Sequence, residues 1–226
     1  MSKCLYCNND FSYNLTIKEI FSFNPIFEDN LCQLCRNQLK PLSSTNGCSR
    51  CFKPEIKTIC DDCRFWEDKY NIINCHQSLF GYNQFIHNYF KKYKRYGDIL
   101  LADLFLKDLL TWSQSNKFDL ITYIPASKSH QELRGFDPVW EMYHRVFELT
   151  PLLIKVDADK PQAQKNRSER LNTPQTFRCI NDQLYSSETK VLLLDDIYTT
   201  GRTILHAKMA LNAIGLTNIY TFSLSR

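Results

Sequence analysis

Apolar positions change their spacing along the chain. The first 65 residues carry little periodic pattern, whereas from Leu79 onward apolar and polar positions recur at helical or strand-like intervals. Tyr82–Arg95 predicts a helix that ends near Gly97. Asp98 is placed to N-cap a second helix, with Leu100, Leu101, Leu104, Phe105 and Leu109 on its core face. Leu120–Ile124 predicts a strand stopped by Pro125, Val139–Leu149 a helix, and Pro151–Val156 a short strand. Lys160–Pro174 is polar, basic and aperiodic, and reads as a mobile loop. Val191-Leu192-Leu193-Leu194 is a continuous apolar run, as in a parallel strand covered on both faces. A helical face follows at Ile204, Leu205, Ala207, Lys208 and Leu211, and Ile219–Leu224 is a last strand. Strands alternating with helices predict an α/β fold over residues 79–226, a parallel sheet flanked by helices. Residues 1–65 predict a separate small module, joined by a bridge near Arg64–Ser78.

Cysteine usage changes the reading of that first segment. The 226-residue chain has 10 cysteines, and eight of them form the pairs Cys4/Cys7, Cys32/Cys35, Cys48/Cys51 and Cys60/Cys63. No run of 18 apolar residues predicts a transmembrane helix, and the start Met-Ser-Lys-Cys-Leu-Tyr-Cys lacks an apolar signal region, so a cytoplasmic protein is expected. Cytosolic thiols stay reduced, which points the C-x-x-C pairs to metal. Each pair aims two sulfurs at one ion, so the pairs predict two structural Zn²⁺ sites. Sequential pairing is favoured because the second loop is short, with a cross-braced arrangement as the alternative. Cys75 and Cys179 lie outside this pattern and read as buried small apolar residues. The net charge of +4 permits a nucleic-acid partner without requiring one.

The Val191 strand leads into Asp195-Asp196 and then Thr199-Thr200-Gly201-Arg202-Thr203. Ligands of open α/β sheets bind at the carboxyl ends of strands, beside helix N-termini. A loop of hydroxyls and backbone N–H groups suits a phosphate, whereas two carboxylates suit a vicinal diol or a bridging metal. Together they describe a ribose 5-phosphate. The run resembles the signature for phosphoribosyl pyrophosphate (PRPP) in type I phosphoribosyltransferases: four apolar residues, two acids, an aliphatic, one free position, then Thr-Thr-Gly-x-Thr. The resemblance assigns Asp195 and Asp196 to the ribose and its Mg²⁺, and Thr199, Thr200, Gly201, Arg202 and Thr203 to the 5-phosphate. No Walker A loop is present.

Three further stretches carry chemistry. After Tyr123-Ile-Pro, Ser127, Lys128 and Arg134 lie on a predicted loop at another strand end, which suits pyrophosphate, although a solvated loop is the alternative. Lys165, Arg167 and Arg170 could form a lid, a solubilising surface or phosphate contacts. Lys91, Lys92, Tyr93, Lys94 and Arg95 interleave cations and rings, as single-strand binding requires. The same stretch also reads as a helix with an aromatic core face of Phe85, Tyr89, Phe90 and Tyr93.

The order of these features resembles the ComF family, in its ComFC form: four C-x-x-C pairs, Tyr93-Lys-Arg-Tyr-Gly-Asp98, Pro125-Ala-Ser with Arg134-Gly135-Phe136, a basic loop, and the Asp195-Asp196 signature. The resemblance implies an N-terminal zinc module fused to a phosphoribosyltransferase-type domain, and a role in natural transformation, the uptake of single-stranded DNA. It also implies PRPP or a ribose 5-phosphate nucleotide as ligand, single-stranded DNA as partner, and other competence proteins as possible partners. Two departures stand out. Asp137-Pro138 replaces the usual Asn-Gln, and its carboxylate suits a helix cap. Lys165 stands after Gln162 where the family usually has Leu. Active phosphoribosyl transfer to a nitrogen acceptor, or an adaptor role for the zinc module, are the alternatives, and no general base is evident in the sequence.

Overall fold

The computed structural model describes residues 2–12, 17–21, 29–56, 58–156, 176–180 and 183–226. Strands β1 (Ser2–Lys3) and β2 (Asp10–Phe11) form an antiparallel pair, followed by short helices α1 (Ile17–Ile20) and α2 (Gln33–Arg36). Helix α3 (Asp61–Tyr70) starts directly on Cys60 and ends at Asn71 in the left-handed region. Then come β3 (His76–Phe80), α4 (Gln84–Phe90), α5 (Leu106–Gln114), β4 (Leu120–Tyr123), α6 (Lys128–Arg134), α7 (Pro138–Tyr143), β5 (Leu153–Lys155), β6 (Phe177–Cys179), β7 (Val191–Ile197), α8 (Arg202–Asn212) and β8 (Ile219–Ser225). Four strands make one sheet in the order β3-β8-β7-β4, all parallel. Strands β5 and β6 form a separate antiparallel pair that the sequence pattern did not predict.

The apolar run of β7 is buried on both faces. Leu192 and Leu194 enter one core cluster, with Phe105, Tyr143 and Phe222, while Val191 and Leu193 enter another, with Ile204, Leu211 and Ile219. Each such side chain contributes roughly 1.5–3 kcal/mol. The Cys-rich segment packs against both clusters: Cys4, Cys32, Cys35 and Leu39 belong to the first, and Cys48, Cys51, Cys60 and Cys63 to the second.

Several expectations need adjustment. The helix read over Tyr82–Arg95 is α4, N-capped by the Asn83 side chain, continued by a wider π turn over Lys91–Arg95. The second helix begins as a 3₁₀ stretch, Ile99–Phe105, before α5, and Asp98 makes no side-chain cap there. The helix read over Val139–Leu149 stops at Tyr143. Cys75 is exposed and Cys179 half-buried, so neither is a buried core residue.

Candidate functional site

The parallel sheet brings the chemistry to its carboxyl edge. Asp195 and Asp196 end β7, the Pro125–Ser127 turn follows neighbouring β4, Tyr82 follows β3, and Arg226 follows β8. The Asp195 carboxylate is buried and accepts the Asp196 N–H at 2.8 Å. Burial, and then the neighbouring Asp196 charge, push the Asp195 carboxyl up to about 8. Asp196 forms an ion pair with Lys94, from the π turn. The Tyr143 hydroxyl, in the core of α7, donates to the Asp195 carbonyl at 2.9 Å and fixes the strand end.

The loop Thr199–Thr203 enters α8 through Gly201, at φ +80°. A Cβ at this position would overlap the Tyr198 hydroxyl, so both the φ and the space require glycine. Tyr198 is buried: its hydroxyl accepts from Asn74 Nδ2 at 2.8 Å and its ring lies 4.1 Å from the His76 ring. Two carbonyls of the loop, which would repel an anion, are occupied by donors. Trp66 Nε1 donates to the Thr200 carbonyl at 2.6 Å, and Arg226 Nη1 to the Thr199 carbonyl at 3.3 Å. Sequence reasoning missed Trp66, Arg226 and Asn74. Trp66 lies 134 positions from Thr200, and nothing in the local sequence pattern marked it as a partner of that loop.

Lys128–Arg134 is a helix, α6, not the loop expected for pyrophosphate. Ser127 is its buried N-cap residue, Lys128 is exposed, and Gly135 closes it at φ +84°. Asp137 organises this turn, because its Oδ1 accepts the Val139 and Trp140 N–H groups and its Oδ2 accepts from Ala126 N and Gln131 Nε2. The capping role expected of this carboxylate is what the structure shows. Arg134 Nε donates to the Lys94 carbonyl at 2.7 Å.

Within the basic segment the side chains diverge. Tyr93 is fully buried and its hydroxyl donates to the Pro138 carbonyl, so it is a core residue and not a platform for a base. Phe85, Tyr89 and Phe90 are buried beside it, which makes the aromatic face a core face. Lys92 Nζ donates to the Tyr6 carbonyl and sits over the Tyr6 ring, tying the segment to the Cys-rich region. Lys91, Lys94 and Arg95 line a cleft of about 800 Å³ together with Tyr82, His87, Tyr96, His130 and Arg134. Lys165, Arg167 and Arg170 lie outside the described residues.

The thiols gather as Cys4, Cys7, Cys32, Cys35 and as Cys48, Cys51, Cys60, Cys63, all sulfurs of a group within 4.8 Å of one another. This is the sequential pairing. Sulfurs at Zn–S distances of about 2.3 Å on a tetrahedron stand roughly 3.8 Å apart. Cys7 and Cys32 stand at 3.7 Å and Cys51 and Cys60 at 3.6 Å, so both groups fit the ion. Hydrogen bonding from Cys63 holds the Cys51 thiol down near 5, while Cys63 itself is pushed up by Cys51 and by burial. A divalent cation reverses that competition, since every coordinated thiol deprotonates.

Comparison with known proteins finds two near full-length relatives. The chain is 34% identical over 230 residues to the competence protein ComFC of Streptococcus pneumoniae (strain ATCC BAA-255 / R6), covering 99% of this chain and 100% of that protein. It is 28% identical over 236 residues to the competence protein ComFC of Bacillus subtilis (strain 168), covering 99% and 94%. No protein-family model matches the chain.

Proposed function

The chain belongs to the ComFC family of competence proteins, and from that premise we propose that it acts in natural transformation, handling single-stranded DNA under the control of a PRPP-type ligand. The observation that carries this reading is the pairing, within one strand end, of two carboxylates with a glycine-gated loop at the N-terminus of α8. A 5-phosphate fits the loop, where backbone N–H groups and the helix dipole favour an anion. The ribose hydroxyls fit Asp195 and Asp196, whose oxygen donors also suit Mg²⁺. Such a ligand must displace Lys94 from Asp196. Arg134, with Ser127 and Lys128, stands one strand away, where the pyrophosphate would extend.

Zn²⁺ in both thiol groups would serve structure, fixing α3 through Cys60 and Cys63 and hence Trp66 against the loop. Lys91, Lys94 and Arg95 are proposed as phosphate contacts for single-stranded DNA. The test is complementation. A competent bacterium lacking this protein, given the variant Asp195→Ala with Asp196→Ala, should lose transformation by at least tenfold while keeping normal protein levels. Normal transformation by that variant would remove the ligand site from the account.

A further inference from the structure

Lys94 borders two sites of opposite charge. Its ammonium pairs with Asp196 on one side, and on the other the same side chain lines the basic cleft. The cleft's remaining wall carries Lys91, Arg95 and Arg134, with Tyr82 and Tyr96 exposed at its edge. The backbone of Lys94 is pinned, because Arg134 Nε donates to its carbonyl. Its side chain, 23% exposed, rests 4.6 Å over the ring of Phe90, which also lines the cleft. The π turn over Lys91–Arg95 puts this lysine at the boundary, in a geometry often found at functional sites. One ammonium cannot neutralise a carboxylate and a phosphate of the cleft at once.

We infer that Lys94 is shared between the two sites, so that a ligand on the acid pair releases its ammonium to the cleft and strengthens polyanion binding there. This rests on the reading above that the acid pair takes a ribose or metal ligand and the cleft takes single-stranded DNA. Without that ligand, Asp196 holds Lys94 and the cleft lacks one cation. With it, the carboxylates turn to the hydroxyls or the metal, and Lys94 faces the DNA backbone. Linkage makes the effect reciprocal: DNA in the cleft draws Lys94 away and favours the ligand on the acid pair.

The experiment is fluorescence anisotropy of a labelled single-stranded oligonucleotide on the full chain at fixed ionic strength, with Mg²⁺ alone and with Mg²⁺ plus PRPP. Wild type should bind about tenfold more tightly with PRPP, within the usual span of coupling between sites. Asp196→Asn should bind tightly without PRPP and ignore it, and Lys94→Met should bind weakly and ignore it. In the double variant, Asp196→Asn should give no gain once Lys94 is gone, which separates release of Lys94 from a mere change in net charge. Thermal melts check that each variant is folded. The inference is overturned if PRPP leaves wild-type affinity unchanged or lowers it, or if Asp196→Asn gains equally with and without Lys94. If neither wild type nor Asp196→Asn retains the oligonucleotide at low salt, the DNA reading falls as well.

Discussion

Asp195 carries a cost of folding that a ligand can relieve. Its carboxyl is held up to about 8, against an ordinary value of 3.8, by burial and by Asp196. Between those two values the folded chain binds a proton that the unfolded chain has released, so this residue lowers stability progressively as pH rises from about 4 to 8. Asp195→Asn removes the titration. It should stabilise the fold relative to wild type at pH 8, by on the order of a few kcal/mol, with the difference shrinking toward pH 5. Thermal melts at both pH values check this, and a pH-independent difference would contradict it. At Gly201, Ala should cost about 1–3 kcal/mol, because the left-handed φ and the Tyr198 hydroxyl both oppose a Cβ. A melt of Gly201→Ala at wild-type temperature would count against the tight loop. That the acids end a strand, that the Thr-Thr-Gly run leads into a helix and that Asp137 caps one were legible, since these patterns are local. The partners of the loop were not, because Trp66 and Arg226 reach it only through tertiary packing.

Helix α3 shows what element-level patterns miss. It buries only Cys63 and Trp66, too few apolar residues to mark a helix by period, yet Trp66 holds the Thr199–Thr203 loop. Helix α6 buries no residue and so has no apolar stripe at all. The long runs were the readable ones: β7, α8 and β8 appear where their apolar positions placed them. Trp66→Phe keeps an aromatic ring in van der Waals reach of Phe65 and Tyr70 but loses the N–H to Thr200. It should weaken a 5-phosphate ligand several-fold, with a melting temperature lowered by the equivalent of about 1 kcal/mol. Unchanged affinity in titration would mean that the loop holds its shape without Trp66. Asp137→Ala removes a cap that also accepts from Ala126 and Gln131, so it should cost about 1–2 kcal/mol in a denaturant melt.

At the scale of the whole molecule, the two thiol groups pack into opposite core clusters of one sheet. Arg36, beside Cys35, adds a bidentate bond to Asp108 of α5. The division into residues 1–65 and 79–226 remains a proposal about folding units, and metal removal tests it. Elemental analysis should find about two Zn²⁺ per chain, one per Cys₄ group. Chelation should lower the stability of the sheet as well as of the Cys-rich segment, because metal binding is folding energy and the core is shared. Melting confined to the first segment would mean that the contacts between them are weak. The α/β class and the thiol groups were readable in advance, whereas the wrapping of the thiol groups around both faces of the sheet required the structure. A ribose 5-phosphate ligand is proposed to bind at the carboxyl edge of this sheet. Calorimetric titration of the purified full chain with PRPP in the presence of Mg²⁺ measures that binding. Wild type should show saturable binding near one equivalent, lost in Asp195→Ala with Asp196→Ala and weakened in Thr203→Ala. No heat from a folded, zinc-loaded wild type, or equal binding by the double variant, would contradict the account.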